Sequence, residues 1–112
     1  MWINNIKLNN FRNYNKKEIN LHENINVFYG ENAQGKTNII EAIFLCSIGK
    51  SFRTKKEKEL IKFNEERTLV EINYEKSDRT GNIKIEIGEK KQVYLNGIKI
   101  KKLSELLGNI NI

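Results

Sequence analysis

Apolar residues alternate with polar ones in several short stretches of this chain, and in one place they change to helical spacing. In Trp2-Ile3-Asn4-Asn5-Ile6-Lys7-Leu8, Ile6 and Leu8 sit two apart, which predicts a half-buried strand, and Asn9-Asn10 then signals a turn. Residues 17–21 read as a second short strand, and Ile25-Asn26-Val27-Phe28-Tyr29 as a third that runs straight into Gly30. From Lys36 the apolar positions Ile39, Ile40, Ile43, Phe44 and 46–48 predict a helix, with Gly49 placed as its stop. A charged segment over residues 55–61 has room for one or two helical turns.

The second half alternates again. Residues 69–74, 83–87, 93–95 and 98–100 each carry apolar residues at every second position, separated by Ser77-Asp78, Gly88 and Asn96-Gly97. This is the pattern of an antiparallel meander. A short helix over 103–107 ends at Gly108, and Asn109-Ile110-Asn111-Ile112 reads as the start of another strand. That abrupt end predicts a polypeptide cut inside a larger domain. No internal repeat, low-complexity tract or linker interrupts the chain, and proline is absent.

Composition narrows the classes. With 112 residues the chain is one small domain or part of one, and 38% hydrophobic with 30% charged residues is the balance of a folded, soluble protein. No apolar run reaches bilayer length and the first residues lack a secretory pattern, so the expected location is the cytoplasm, without a membrane partner. The single Cys46 cannot form an internal disulfide, and its apolar neighbours predict a buried thiol. A net charge of +6 favours an anionic partner, whether nucleotide, nucleic acid or acidic surface. The abundance of lysine, asparagine and isoleucine is equally readable as compositional bias.

The chemistry is carried by Gly30-Glu31-Asn32-Ala33-Gln34-Gly35-Lys36-Thr37, which matches G-x-x-x-x-G-K-[ST]. The glycines let the backbone wrap around phosphate oxygens, and free N–H groups at the start of the following helix complete an anion nest. Lys36 is placed to reach the β- and γ-phosphates, and the Thr37 hydroxyl to bind Mg²⁺. A chance match is expected in roughly one chain of this length in a hundred, and the strand before the loop and the helix after it reduce that further. The expected ligands are therefore ATP and Mg²⁺.

Other residues are less specific. Lys50, Arg53, Lys55, Lys56 and Lys58, with Phe52 among them, form the densest basic cluster, which suits either a nucleic-acid backbone or a solvated helical face. Glu41 is better placed for a structural or capping role than as a catalytic base. His22 stands alone, with no partner at metal-ligand spacing.

Three elements together resemble the RecF family, bacterial recombination and repair ATPases related to SMC proteins and to the nucleotide-binding domains of ABC transporters. They are Leu8-Asn9-Asn10-Phe11-Arg12-Asn13-Tyr14, the phosphate loop continued through Asn38 with Glu41-Ala42 after it, and Gly49-Lys50-Ser51-Phe52-Arg53-Thr54. The resemblance implies an α/β P-loop NTPase of the ABC/SMC type, with a parallel core and an antiparallel β meander. It implies a protein that dimerises around ATP, binds single-stranded or gapped DNA in that state, and works with other recombination mediator proteins in repair and the SOS response. By the same resemblance Arg12 stands near the nucleotide, the alternative being a solvated loop arginine. The family's signature sequence, acidic Walker B pair and switch histidine have no counterpart in these residues, so the stretch by itself is expected to bind ATP without turning it over. Two other classes stay open. One is a P-loop phosphotransferase, which requires a parallel strand directly after the loop helix. The other is an inert truncated or β-rich binding module with a vestigial loop.

Overall fold

The computed structural model describes residues 2–21 and 33–110. The predicted strand over 25–29 and Gly30, Glu31 and Asn32 lie outside the described residues, as does the parallel core that the strand implied. What is described is a six-stranded sheet, with strand order β2-β1-β3-β4-β5-β6 and every neighbouring pair antiparallel. Its strands are β1 (Trp2–Phe11), β2 (Tyr14–Asn20), β3 (Thr68–Lys76), β4 (Arg79–Ile87), β5 (Lys91–Leu95) and β6 (Ile98–Lys99). One helix, α1 (Ala33–Ile48), lies against β3 and β4.

Alternation explains the sheet's two faces. Ile6 and Leu8 of β1, Val70, Ile72 and Tyr74 of β3, Ile83, Ile85 and Ile87 of β4 and Val93 of β5 are buried together. They meet Ile39, Ala42, Leu45 and Cys46 of α1 in one core, so the predicted burial of Cys46 is observed. Burial also pushes its thiol pKa well up, because the thiolate is the form that loses hydration. The opposite face is polar. Cα partners in successive strands give the row Glu18, Lys7, Glu71, Lys84, and beside it a row of asparagines. In that second row Asn5 donates to Asn20 at 2.7 Å, Asn73 to Asn5 at 3.3 Å, and Asn82 to Asn73 at 2.8 Å.

The turns read from the sequence are built as expected. Ser77 (φ +52°) and Asp78 (φ +64°) join β3 to β4, and Asn96 (φ +53°) and Gly97 (φ +82°) join β5 to β6. Both are two-residue turns with both residues left-handed, the geometry whose twist matches that of the strands. The pairing of β1 with β3 is different in kind, since it joins residues 60 to 73 positions apart, from Asn9 with Leu69 to Trp2 with Glu75, and places the leading hairpin and the meander in one sheet.

Several boundaries differ from the sequence reading. β1 does not stop at Asn9-Asn10 but runs on to Phe11, and β2 begins at Tyr14 rather than Lys17. The reason is tertiary: Asn10 takes a left-handed φ of +52° and turns Phe11 into the core. The Asn10 carbonyl then accepts the Lys62 N–H at 2.7 Å, and Phe11 bridges to Ile61. α1 starts at Ala33, three residues before Lys36. Residues 107–110 form turns rather than a strand start, with Ile110 buried and its carbonyl accepting the Ser47 hydroxyl at 3.3 Å, while 111 and 112 lie outside the described residues. The helical turns predicted near 55–61 and 103–107 are 3₁₀ turns, Glu57–Leu60 and Leu103–Leu106.

α1 ends where its glycine requires. Gly49 has φ +83°, and its N–H bonds the Leu45 carbonyl at 2.7 Å. The Lys91 ammonium, from β5, donates to the Gly49 carbonyl and pairs with Glu57, bringing positive charge to the negative end of the helix. A Cβ on Gly49 would lie 2.7 Å from a Leu103 methyl, whereas one on Gly97 would meet nothing within 4 Å. In urea unfolding, Gly97→Ala should lose about 1–2 kcal/mol, the cost of a left-handed residue with a Cβ, and Gly49→Ala more. Equal losses would show that the Leu103 contact yields freely.

Candidate functional site

α1 carries three of the fixed residues of the phosphate-loop pattern, Gly35, Lys36 and Thr37, in its opening turns. Gly35, Asn38 and Glu41 follow one another at spacings of three, so they form a single stripe on the helix. The turn between β1 and β2 docks on this stripe in reverse order. The Tyr14 hydroxyl donates to the Gly35 carbonyl at 3.4 Å, the Asn38 amide donates to Asn13 Oδ1 at 3.0 Å, and Arg12 pairs with Glu41.

The Arg12–Glu41 pair is a two-bond fork, Nε to Oε1 and Nη2 to Oε2, both 2.8 Å. A second segment grips the stripe from the other flank. The Ser51 hydroxyl donates to Glu41 Oε2 at 2.6 Å, and Arg53 Nη1 donates both to Glu41 Oε1 at 3.0 Å and to Asn38 Oδ1 at 2.7 Å. Each carboxylate oxygen of Glu41 thus accepts two donors. The Glu41 side chain is 0% exposed, and no buried side-chain polar atom among the described residues lacks a partner. Arg12 is tied further, its N–H bonding the Leu60 carbonyl at 2.8 Å and its Nη1 the Glu59 carbonyl at 3.2 Å.

Burial alone would raise the Glu41 pKa. The hydrogen bonds from Arg12 and Ser51, with the charges of Arg12 and Arg53, outweigh it and hold the carboxyl below its ordinary range. The same hydrogen bond, with the charge of Glu41, raises the Arg12 pKa against the effect of burial. The carboxylate is therefore charged, and it is paired with Arg12 and Arg53.

The sequence-predicted residues divide accordingly. Gly35, Lys36 and Thr37 lie in the opening turns of α1, whereas the Arg12 side chain meets Glu41 in the middle of the helix and its turn reaches Gly35 through Tyr14. Ala33 and Gln34 occupy its first turn, and Gly30, Glu31 and Asn32 lie outside the described residues, as does His22. Glu41 is a structural hub, as its position on the helix implied. The basic cluster is not uniform: Lys50, Arg53, Lys55, Lys56 and Lys58 are all exposed residues, but the Arg53 side chain, 25% exposed, reaches back onto Glu41 and Asn38. Phe52, 49% exposed, packs edge-on against Phe44, with ring centres 5.3 Å apart. Asn13, Asn38 and Ser51 were given no role from sequence. Their only local signal was the spacing of Asn38 between Gly35 and Glu41.

A cleft of 840 Å³ between residues 61–67 and the β4–β5 turn shares no residue with the stripe, and its four basic and four acidic side chains cancel. No group of three or more His, Cys, Asp or Glu gathers as a metal site among the described residues, and none of their helices is long and apolar enough to cross a membrane. β3, the strand after α1, is antiparallel to both its neighbours, which removes the parallel strand that a phosphotransferase requires.

The chain matches the family described as "AAA domain" over residues 5–111. It is 48% identical to the DNA replication and repair protein RecF of Clostridium acetobutylicum, over all of this chain and 31% of the relative. It is 50% identical to RecF of Clostridium novyi, over all of this chain and 32% of the relative. The chain thus spans about a third of the length of these curated relatives. Among solved structures, the recombination mediator protein RecF with ATP, in the RecFOR pathway, superposes with a TM-score of 0.81 at 33% identity, over 98% of this chain and 31% of that one. The SMC head domain from Thermotoga maritima gives a TM-score of 0.65 at 19% identity, over 95% of this chain and 41% of that one, a likeness of fold.

Because the Glu41 pKa is lower folded than unfolded, its contribution is present above the unfolded value of about 4.3 and is lost as pH falls through the folded value. Removing one member of a buried ion pair costs about 3–5 kcal/mol, so Glu41→Ala should lose that much at pH 7 by urea unfolding. Its stability should also fall less steeply than wild type between pH 5 and pH 3, values spanning the ordinary carboxylate range. Parallel curves would place the acid-sensitive group elsewhere.

Proposed function

The chain belongs to the AAA domain family and matches the N-terminal part of RecF along its whole length, and from that premise we propose that it is the ATP-binding portion of a DNA replication and repair ATPase. The observation that carries this reading is the start of α1. Gly35, Lys36 and Thr37 stand in the opening turns of a helix, where the dipole favours an anion, and the Arg12 turn docks beside them. A lysine in the opening turns of a helix fits a triphosphate. The backbone from Gly30 through Glu31, Asn32, Ala33 and Gln34 to Thr37 would cradle the phosphates, with Lys36 on the β- and γ-phosphates and Arg12 at their side. Thr37 would hold the Mg²⁺, whose role is to neutralise phosphate charge.

The exposed lysines Lys50, Lys55 and Lys56, with Arg53 oriented by Glu41, form the DNA-contacting segment in this reading. They would meet single-stranded or gapped DNA through its phosphates, in an ATP-dependent dimer of a cytoplasmic protein that acts with other recombination mediators in repair and the SOS response. Residues 1–112 would then be one part of a single ABC-type ATPase head. Support for this comes from the whole-length similarity to RecF and from the exposure of the lysines.

Thermal unfolding with and without Mg-ATP tests the nucleotide reading, because a ligand that binds only the folded state raises the midpoint. The midpoint should rise for the wild type and not for Lys36→Ala; a cooperative transition that ATP leaves unmoved would reject the site. For DNA, the double variant Lys55→Ala, Lys56→Ala should flatten the dependence of log affinity on log salt by about 2, close to one per lost phosphate contact. An unaltered slope would assign the lysines to a solvated face.

A further inference from the structure

We propose that Glu41 is a positioning residue for the nucleotide, acting through Arg12. This rests on the ATP-binding reading above and adds a residue that the phosphate-loop pattern does not contain.

Glu41 is fully buried, so it cannot itself touch a ligand. Whatever it does at the site passes through the groups bonded to it. Of these, Arg12 belongs to the turn that also contacts Gly35 and Asn38, the residues flanking Lys36 and Thr37. Arg12 has a left-handed φ of +55°, a conformation that costs a side-chain-bearing residue energy and persists only where the surroundings impose it. The fork with Glu41, the backbone bond to Leu60 and the bond to the Glu59 carbonyl are those surroundings.

Among the described residues these side-chain bonds use three of the five guanidinium N–H groups, and two remain for an anion. Glu41 divides its single charge between Arg12 and Arg53, with Glu59 as a second carboxylate near Arg12, while the geometry of both guanidiniums is locked. A phosphate arriving at a guanidinium already held does not have to order it. Without the carboxylate, Arg12 loses both bonds of the fork and keeps only the Glu59 carbonyl on its guanidinium, so a ligand must do more of the ordering.

The test is a double-mutant cycle on Mg-ATP affinity, measured by titration calorimetry with wild type, Glu41→Gln, Arg12→Met and the double variant, alongside Ser51→Ala. Each single variant should weaken binding about tenfold, in the range of one charge-assisted hydrogen bond. The double variant should bind no more weakly than Arg12→Met alone. Ser51→Ala removes a Glu41 bond without touching Arg12, and should lower the Tm while leaving affinity within about twofold. Additive losses in the double variant, an unchanged Glu41→Gln affinity, or a loss in Ser51→Ala equal to that in Glu41→Gln would each overturn the proposal. If Glu41→Gln does not melt cooperatively, Arg12→Lys decides: it keeps the charge but cannot form the fork. Weakening like that of Arg12→Met supports the proposal, and wild-type affinity overturns it. A wild type that does not bind Mg-ATP overturns the ATP-binding reading and this inference together, whereas additive losses in a binding wild type overturn the inference alone.

Discussion

The Glu41 carboxylate sits out of water with four donors on its two oxygens, supplied by Arg12, Arg53 and Ser51. A buried charge costs several kcal/mol unless paired and hydrogen-bonded, so these contacts form together or not at all. They come from three separated parts of the chain: the turn after β1, the middle of α1 and the segment after its C-terminus. One side chain therefore fixes how the helix that opens with Lys36 and Thr37 sits against both its flanks. Asn38, one turn earlier, repeats the arrangement in neutral form, donating to Asn13 and accepting from Arg53.

Cations stand at both ends of α1. Its start carries Lys36, where the helix dipole favours an anion. Its end is closed by Gly49 and by the ammonium of Lys91, itself paired with Glu57. Segment 50–58 leaves the helix at that end and returns through Arg53 to its opening turns. The segment that bears the exposed lysines is thus tied to α1 at Asn38 and Glu41 by charge-assisted hydrogen bonds from Arg53.

The sheet gives the chain's unusual composition a physical sense. Isoleucine is placed on the inner face at positions 6, 72, 83, 85 and 87, and asparagine on the outer face at 5, 20, 73 and 82. An antiparallel sheet covered on one side needs such a division. β-branched residues pack well on the pleated inner surface. Amides, with both donors and acceptors, can link strand to strand on the wet one, so compositional bias and structural use coincide here.

The sequence by itself determined everything set by short-range periodicity and backbone chemistry. That covers the meander and both of its two-residue turns, the loop helix and its stop at Gly49, the burial of Cys46 and the phosphate-loop pattern itself. Each depends on residues a few positions apart, whose alternation, φ preference or spacing can be read along the chain. Tertiary structure alone decided three other features: the joining of β1 to β3, the extension of β1 through Asn10 to Phe11, and the inward turn of Arg53. In each, the partner lies far away in sequence, as with Lys62 for Asn10 and Glu41 for Arg53. Nothing local distinguishes an arginine that will meet a buried carboxylate from one that stays in water. A charge pattern records which residues are cationic, and only the packing of α1 against its two flanking segments decides which of them faces inward.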